Sequence, residues 1–366
     1  MKIQAAVLDE RRGHLKVEQL DLAEPRADEV LVRLVATGVC HSDIAVVTGD
    51  LPLPTPIVLG HEGAGVVESV GATVTTVKPG DHVVLTFASC GTCGECLSGH
   101  PVYCDVSAAM NLSGTRADGS SAWSRDGSPV HGHFVGQSSF GTHVVVHHST
   151  AVPVDASLPL ELLASLGCGV QTGAGTVFNA LRPPYGSTLA VTGTGSVGLS
   201  AVMAAVAIGC RQVIAVDVSE QRLALAKEVG ATDVVNSSQG DLTGRLKELT
   251  GGVGVNFIVD TTGLQDVIAS AFAALSVRGR LGVVGVSPAG TRIDLDPWSF
   301  LAGRSVEGNM EGDVVPSIFI PFLIDLYRQG RFPFDRLVTV CNGLESLDGI
   351  VHGQDPSVVK AVVRIG

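Results

Sequence analysis

Up to about Ser89 the chain carries apolar residues in short runs, broken by Gly and Pro, as in VLVRLVATGVC, GHEGAGVVESVG and GDHVVLTF. Runs that alternate with period two, or stay apolar for a few residues, predict strands, and KPGDHV reads as a turn between two of them. Residues 105–140 are polar and rich in Gly and Ser, which predicts a long surface loop. FVGQSSFGTHVVVH returns to strand pattern, and ELLASLGCGVQTGAGTVFNAL reads as helix. From Ser187 the pattern changes. STLAVTG, QVIAVDVS, DVVNSS, VNFIVDTTG and RLGVVGV are apolar runs separated by helical segments such as SVGLSAVMAAVAIG and EQRLALAKEVGA. Repeated βα alternation predicts an α/β fold with a doubly wound parallel sheet. Past about Arg304 the alternation stops. PSIFIPFLIDLYRQGRF predicts an amphipathic helix and KAVVRIG a final strand, so the βα domain reads as an insertion into the β-rich one.

Composition supports that division. A chain of 366 residues suits two domains. Its 45% hydrophobic content, 4% aromatic content and 45 glycines suit buried parallel strands joined by tight turns. The formal charge of −12 disfavours a nucleic-acid partner. The start, MKIQAAVLDERRGH, lacks the apolar core of a signal peptide, and no uncharged apolar run reaches about 18 residues, so no membrane span is expected.

Two motifs carry chemistry by spacing. CGTCGECLSGHPVYC holds Cys90, Cys93, Cys96 and Cys104, a set of soft ligands suited to a closed structural zinc site in a lobe at about residues 88–106. Two disulfides or four unrelated buried thiols are the alternatives. Thiolates that stay free for metal need a reducing compartment, which points to the cytoplasm. LAVTGTGSVGLSAV places Gly193, Gly195 and Gly198 in G-x-G-x-x-G spacing between an apolar strand and an Ala-rich helix. That is the context for a dinucleotide, with its pyrophosphate at the helix N-terminus around Ser196. Asp217 ends the next strand, where a carboxylate accepts from a ribose diol and repels a 2′-phosphate, so NAD is expected rather than NADP. Arg222 either covers the ribose or adenine or is a solvated helix charge.

Cys40 in CHSD, His61 in GHEGAG and Cys168 in GCGVQTG also stand in unusual settings. No short spacing links them. Taken singly, each reads equally as a buried thiol or a core histidine.

GHEGAGVVESVG, the four-cysteine loop, CHSD, GCGVQTG and GTGSVG together resemble, in this order and over essentially the whole chain, the zinc-dependent medium-chain alcohol dehydrogenases. FVGQSSFGTHVVV and IPFLIDLYRQGRFPFDRLV are most similar to the aryl-alcohol (benzyl-alcohol) and geraniol branch. The resemblance implies a GroES-like catalytic zinc domain over residues 1–170 and 310–366, with an inserted Rossmann NAD-binding domain over 171–309. It implies two Zn2+ per subunit, a cytoplasmic homodimer or homotetramer, and NAD-linked interconversion of a primary aryl or allylic alcohol and its aldehyde. Same-fold dehydrogenases of glutathione-linked adducts or polyols are the enzymatic alternative. A non-catalytic NAD-binding zinc protein is the alternative of another class. The resemblance further implies that Cys40, His61 and Cys168 hold the catalytic zinc, with Asp43 accepting from His61 and Glu62 close behind the metal. Ser42 would take the substrate proton, Thr172 and Val197 would flank the nicotinamide, and His41 and Lys360 would contact the pyrophosphate. One position departs from the pattern. Several members carry a His three residues after the relay serine, where this chain has Ala45, so the outer end of the proton path needs water or another group. His143, His147 and His148 are candidates by composition only.

Overall fold

The computed structural model describes every residue except Ala289, Gln354, Pro356 and Gly366. The chain divides into two compact units. One takes Met1–Cys168, Val315–Pro321 and Val338–Gly366, and the other takes Gly169–Val314 and Phe322–Leu337.

The first unit is β-rich. The strand Glu29–Gly38 is the axis of one sheet, pairing antiparallel with Glu62–Val70, His143–His147 and the C-terminal strand Lys360–Arg364. A second sheet runs Ile57–Val58, Lys2–Leu8, Leu15–Leu22, Trp123–Arg125, Ser128–Val130. Val30, Val32, Val144 and Val146 are fully buried among Ile57, Leu59, Phe134 and Phe140 in the shared core. Burying side chains of this size stabilises by roughly 1.5–3 kcal/mol each.

Residues 105–140 depart from the expected surface loop. They form the short helix Ser107–Asn111, the hairpin Trp123–Arg125/Ser128–Val130 and a tight turn, Phe134–Gly136. Trp123, Phe134, Gln137 and Phe140 are all buried. Polar composition concealed this, because Ser and Gly here serve the turns while a few large side chains do the packing.

The second unit is a six-stranded sheet in the order Asp233–Asn236, Gln212–Asp217, Thr188–Thr192, Val255–Asp260, Leu275–Val283, Ser305–Gly308, with every pairing parallel. That is the 3-2-1-4-5-6 order of the dinucleotide-binding fold, whose switch point lies at the carboxyl end of its first strand. The helix Ser196–Ile208 follows that strand and buries Leu199, Val202 and Met203.

The segment expected as a single helix is broken at its cysteine. Leu160–Leu163 is α-helical, Ala164–Gly167 tightens to 3-10, and Cys168 leaves helical space at φ −143, ψ −87. The α-helix Gly169–Gly175 follows and widens to a π-turn over Thr176–Leu181. A tertiary bond helps hold the break: the Thr86 hydroxyl donates to the carbonyl of Gly167 at 2.8 Å. The helix Pro316–Arg328 and the strand Lys360–Arg364 form as expected.

Candidate active site and metal centres

Cys40 caps the helix His41–Thr48 in extended backbone, at φ −114 and ψ 159. Asp43, one turn in and fully buried, ties three parts of the unit together. Its Oδ2 accepts the Cys40 N–H at 3.0 Å, and its Oδ1 accepts the Gly60 N–H at 2.9 Å and His61 Nδ1 at 3.1 Å. A carboxylate only accepts, so Nδ1 carries a proton. Burial opposes charge on the ring, but the Asp43 and Cys40 charges outweigh burial and hold the imidazole above its usual range, and a metal would take the place of the second proton, on Nε2. The His61 ring is held edge-on by Phe134, with centroids 5.0 Å apart at 84°. Gln137 braces the backbone beside it, donating to the His61 carbonyl at 2.7 Å and accepting from Gly63 N at 3.0 Å.

These contacts bring Cys40, His61 and Cys168 together, with one donor atom from each within 4.8 Å of the others. His61 and Cys168 are buried and Cys40 is half-buried. A hydrogen bond from Cys168, helped by the Lys360 charge and His61, outweighs burial and holds the Cys40 thiol well below its usual range. Two sulfurs and an imidazole nitrogen, with one sulfur favoured as thiolate, fit a zinc ion.

Glu62 follows His61 and is fully buried. Lys360, 2% exposed, donates to Glu62 Oε1 at 2.7 Å and to the Val39 carbonyl at 3.1 Å. Burial raises the Glu62 pKa, and the Lys360 charge opposes that rise. Gly38 is required beside them, because a Cβ there would fall 2.0 Å from Glu62 Oε2. The Lys360 ammonium is thus held between Glu62 and a backbone carbonyl. Ser42 is half-buried on the first helical turn, and His41 beside it is exposed.

Four other cysteines form a second cluster. Cys90, Cys93, Cys96 and Cys104 each bring a sulfur within 4.8 Å of the rest, and all are free thiols. Cys90 Sγ and Cys96 Sγ are 3.9 Å apart. A disulfide needs about 2.05 Å, whereas a tetrahedral Zn–S distance of about 2.3 Å gives an edge of about 3.8 Å. Backbone N–H groups point at the sulfurs: Thr92 and Cys93 donate to Cys90 at 3.4 and 3.3 Å, and Cys90 donates to Cys104 at 3.3 Å. Bonds from Thr92 and Cys93 bring the Cys90 thiol down to about 6, while burial and the neighbouring thiols push Cys96 up to about 12. The four-sulfur donor set fits zinc.

In the parallel-sheet unit the fingerprint glycines differ in what they do. Gly193 adopts φ +86, and a Cβ on Gly198 would lie 1.8 Å from the Gly193 carbonyl oxygen. Gly195 has an ordinary φ of −71, and a Cβ there would meet only Arg222 Nη1 at 3.7 Å. Packing does not demand glycine at 195. The bare backbone in front of Ser196 and Val197 is the cradle a pyrophosphate needs. Arg222 stands over it. Asp217 is more engaged than expected. Its Oδ2 accepts Thr194 N and Oγ1, both at 2.7 Å, and its Oδ1 accepts Val218 N at 2.8 Å and Ser219 N at 2.9 Å. Burial works against its charge, but these bonds and Arg222 hold the carboxyl below its usual range. All four acceptor directions are taken within the chain. A Cβ on Gly173 would sit 1.9 Å from the Val197 carbonyl, so Thr172 and Val197 lie on two closely packed helices. The Thr172 hydroxyl donates to Glu311 at 3.2 Å.

Sequence reasoning missed Gln137, Phe134 and Thr86 around the three-donor cluster, and no motif marks them. It also missed Asp260, fully buried at the switch-point end of its strand, which accepts from Thr192 at 2.6 Å, Thr262 at 2.7 Å and Gly263 N at 2.9 Å.

A β-rich unit with two zinc-type donor sets and a dinucleotide-type parallel sheet define a zinc-dependent dehydrogenase. Residues 26–156 match the alcohol dehydrogenase GroES-like domain, and residues 196–328 match the zinc-binding dehydrogenase family. The chain is 46% identical to geraniol dehydrogenase of Castellaniella defragrans over 339 residues, covering 92% of this chain and 90% of that one. The benzyl alcohol dehydrogenase of Acinetobacter calcoaceticus superposes with a TM-score of 0.96 at 40% identity, covering 100% of both chains. An alcohol dehydrogenase zinc-binding domain protein of Burkholderia ambifaria gives 0.97 at 45% identity, covering 100% of this chain and 99% of that one. The chain belongs to the zinc-dependent medium-chain alcohol dehydrogenases, in the branch of the aryl-alcohol and geraniol enzymes.

Proposed function

We propose that this chain interconverts a primary aryl or allylic terpenoid alcohol and its aldehyde, with NAD as hydride acceptor. The observation that carries the reading is the count of donors. Cys40, His61 and Cys168 are three where the second cluster has four, and three protein ligands with one position left open is the arrangement of a catalytic zinc. Zinc held by these residues supplies a Lewis acid for the alcohol oxygen, and the nicotinamide of NAD supplies the hydride acceptor. The substrate class is supported by the kinship with geraniol and benzyl alcohol dehydrogenases.

The chain's own residues do the rest. Ser42 Oγ takes the substrate proton and passes it outward, and because position 45 is Ala the path ends at water or another group. Asp43 keeps His61 in the tautomer that leaves Nε2 free. Glu62 and Lys360 form a buried ion pair that balances charge near Cys40. Gly193, Gly195, Ser196, Val197 and Gly198 receive the pyrophosphate, with His41 contributing from its exposed helix start. Thr172 and Val197 flank the nicotinamide, Asp217 selects NAD over its 2′-phosphorylated form, and Arg222 covers the ribose or adenine. The four-cysteine lobe holds a second, structural zinc. Met1–Cys168 with Val315–Pro321 and Val338–Gly366 form the catalytic domain, and Gly169–Val314 with Phe322–Leu337 the nucleotide domain, so residues 322–337 fall on the nucleotide side of the boundary expected from the sequence. Eight free cysteines support a cytoplasmic site. The edge strand Ser305–Gly308 and the exposed Trp298 and Leu301 support a homodimer or homotetramer. Among the described residues no helix is long and apolar enough to cross a membrane.

The test is NADH formation with benzyl alcohol, geraniol and short aliphatic alcohols, each with NAD and with NADP. A higher kcat/KM for the first two alcohols with NAD is expected. Preference for a polyol or for NADP would refute the substrate or cofactor assignment.

A further inference from the structure

A third group of metal-type side chains lies in the β-rich unit, among residues that the proposed chemistry does not use. His14 sits in the turn between the strands Lys2–Leu8 and Leu15–Leu22. Asp348 and His352 lie four residues apart on the helix Ser346–Gly353, hence on one face. His14 Nδ1 is 2.9 Å from Asp348 Oδ2 and 3.2 Å from Oδ1, and His352 Nε2 is 3.4 Å from Oδ1. The two imidazole rings lie 4.6 Å apart, tilted by 46°.

We propose that His14, Asp348 and His352 form a further divalent-cation site, which binds a first-row ion of the zinc type and clamps the first β-turn to the C-terminal helix. One donor atom from each residue lies within 4.8 Å of the others. Around an ion with bonds of about 2.0–2.1 Å, neighbouring donors stand about 2.9 Å apart in an octahedron and about 3.4 Å apart in a tetrahedron. The two contacts to one donor atom, Asp348 Oδ1, at 3.2 Å from His14 Nδ1 and 3.4 Å from His352 Nε2, fall at that interval's upper end. Two imidazole nitrogens and one carboxylate suit Zn2+, and Ni2+ or Cu2+ by the general affinity order. The carboxylate is already oriented, because the backbone N–H of Leu15 donates to Asp348 Oδ1 at 2.9 Å. The helix is anchored from its other face by the buried Leu347 and Val351, so its two donors are presented on a fixed element. His14 is 70% exposed, which leaves the remaining coordination positions to water and makes the site exchangeable.

The experiment uses the full chain with its resident zinc already measured. Wild type, His14→Gln and His352→Ala are dialysed to equilibrium against micromolar Zn2+, and metal per subunit is counted by mass spectrometry. Wild type should hold one more equivalent than either variant. Its Tm should climb with zinc concentration while theirs stay flat, and turnover without added zinc should be equal in all three. Equal zinc content in wild type and His14→Gln would overturn the proposal and leave an ion-pair cluster only. His14→Gln changes an exposed turn residue, so the comparison survives if the helix variant fails to fold.

Discussion

Asp43 concentrates most of the leverage over the proposed catalytic zinc. It is fully buried and is the acceptor for Cys40 N, Gly60 N and His61 Nδ1. Asp43→Ala would orphan three buried donors at about 1–3 kcal/mol each. That sum rivals the roughly 5–15 kcal/mol that keeps a protein folded, so little soluble protein is expected. Asp43→Asn is the informative variant. An amide oxygen at the Oδ1 position keeps Gly60 and His61, while its NH2 group faces the Cys40 N–H. One unmet buried donor costs about 1–3 kcal/mol, and two bonds weakened from charged to neutral cost about 1 kcal/mol each. The total of roughly 3–5 kcal/mol leaves a folded chain. His61 then loses the anion that fixes its tautomer, and loss of such a partner lowers metal affinity about 10–100-fold. Zinc retention against a graded chelator, the urea midpoint and kcat/KM per bound zinc measure the three effects. The four-sulfur zinc should be retained as in wild type. Asp43→Asn with an unchanged urea midpoint and unchanged affinity at the three-donor cluster would refute the reasoning.

Cys96→Ser should lower Tm and release one zinc per subunit while the other stays, because four sulfurs within 4.8 Å share one ion; metal content and a thermal melt decide it. Asp217→Gly should narrow the NAD-to-NADP ratio of kcat/KM and also destabilise the nucleotide unit, since four hydrogen bonds end on that carboxylate; a ratio equal to that of the parent would count against its role in selection. Glu29 and Arg116 form a buried bidentate pair at 2.6 and 2.8 Å, so Glu29→Gln should cost about 3–5 kcal/mol in urea unfolding, and Glu29→Leu with Arg116→Met should cost less. Burial and then the Arg116 charge push the adjacent His133 down to about 3. An unfolded histidine protonates near 6.5, so this contribution is whole above pH 6.5 and drains away as pH falls toward about 3, at up to about 1.4 kcal/mol per unit. His133→Asn, which suits the φ of +56 there, should flatten urea midpoints between pH 6.5 and 4.5; an unchanged slope would exclude His133 as the source.

What was legible in the chain follows from where each signal is stored. The four-cysteine cluster and the glycine fingerprint are local, so spacing alone exposes them. The strands and helices of the parallel sheet are periodic, and five of the six strands formed as read; the sixth, Ser305–Gly308, lies past the point where the alternation was expected to stop. Cys40, His61 and Cys168 are neither local nor periodic. Each stands where a regular element ends: Cys40 at a helix cap, His61 just before the strand Glu62–Val70, Cys168 between a 3-10 turn and an α-helix. Apolar periodicity ran straight through Cys168, because the break is held by Thr86 from a distant part of the chain. The Glu62–Lys360 pair is hidden for a related reason: its two members lie 298 positions apart, so no local pattern reveals it. Residues 105–140 were read as surface because their composition is polar, though Phe134 and Gln137 in that stretch fix the ring and backbone of His61. A periodic pattern records which face of an element is buried. It cannot record a side chain whose task begins where the period stops, and the donors and braces of this site are of that kind. They become readable only through the whole ordered set of motifs, or through the folded contacts themselves.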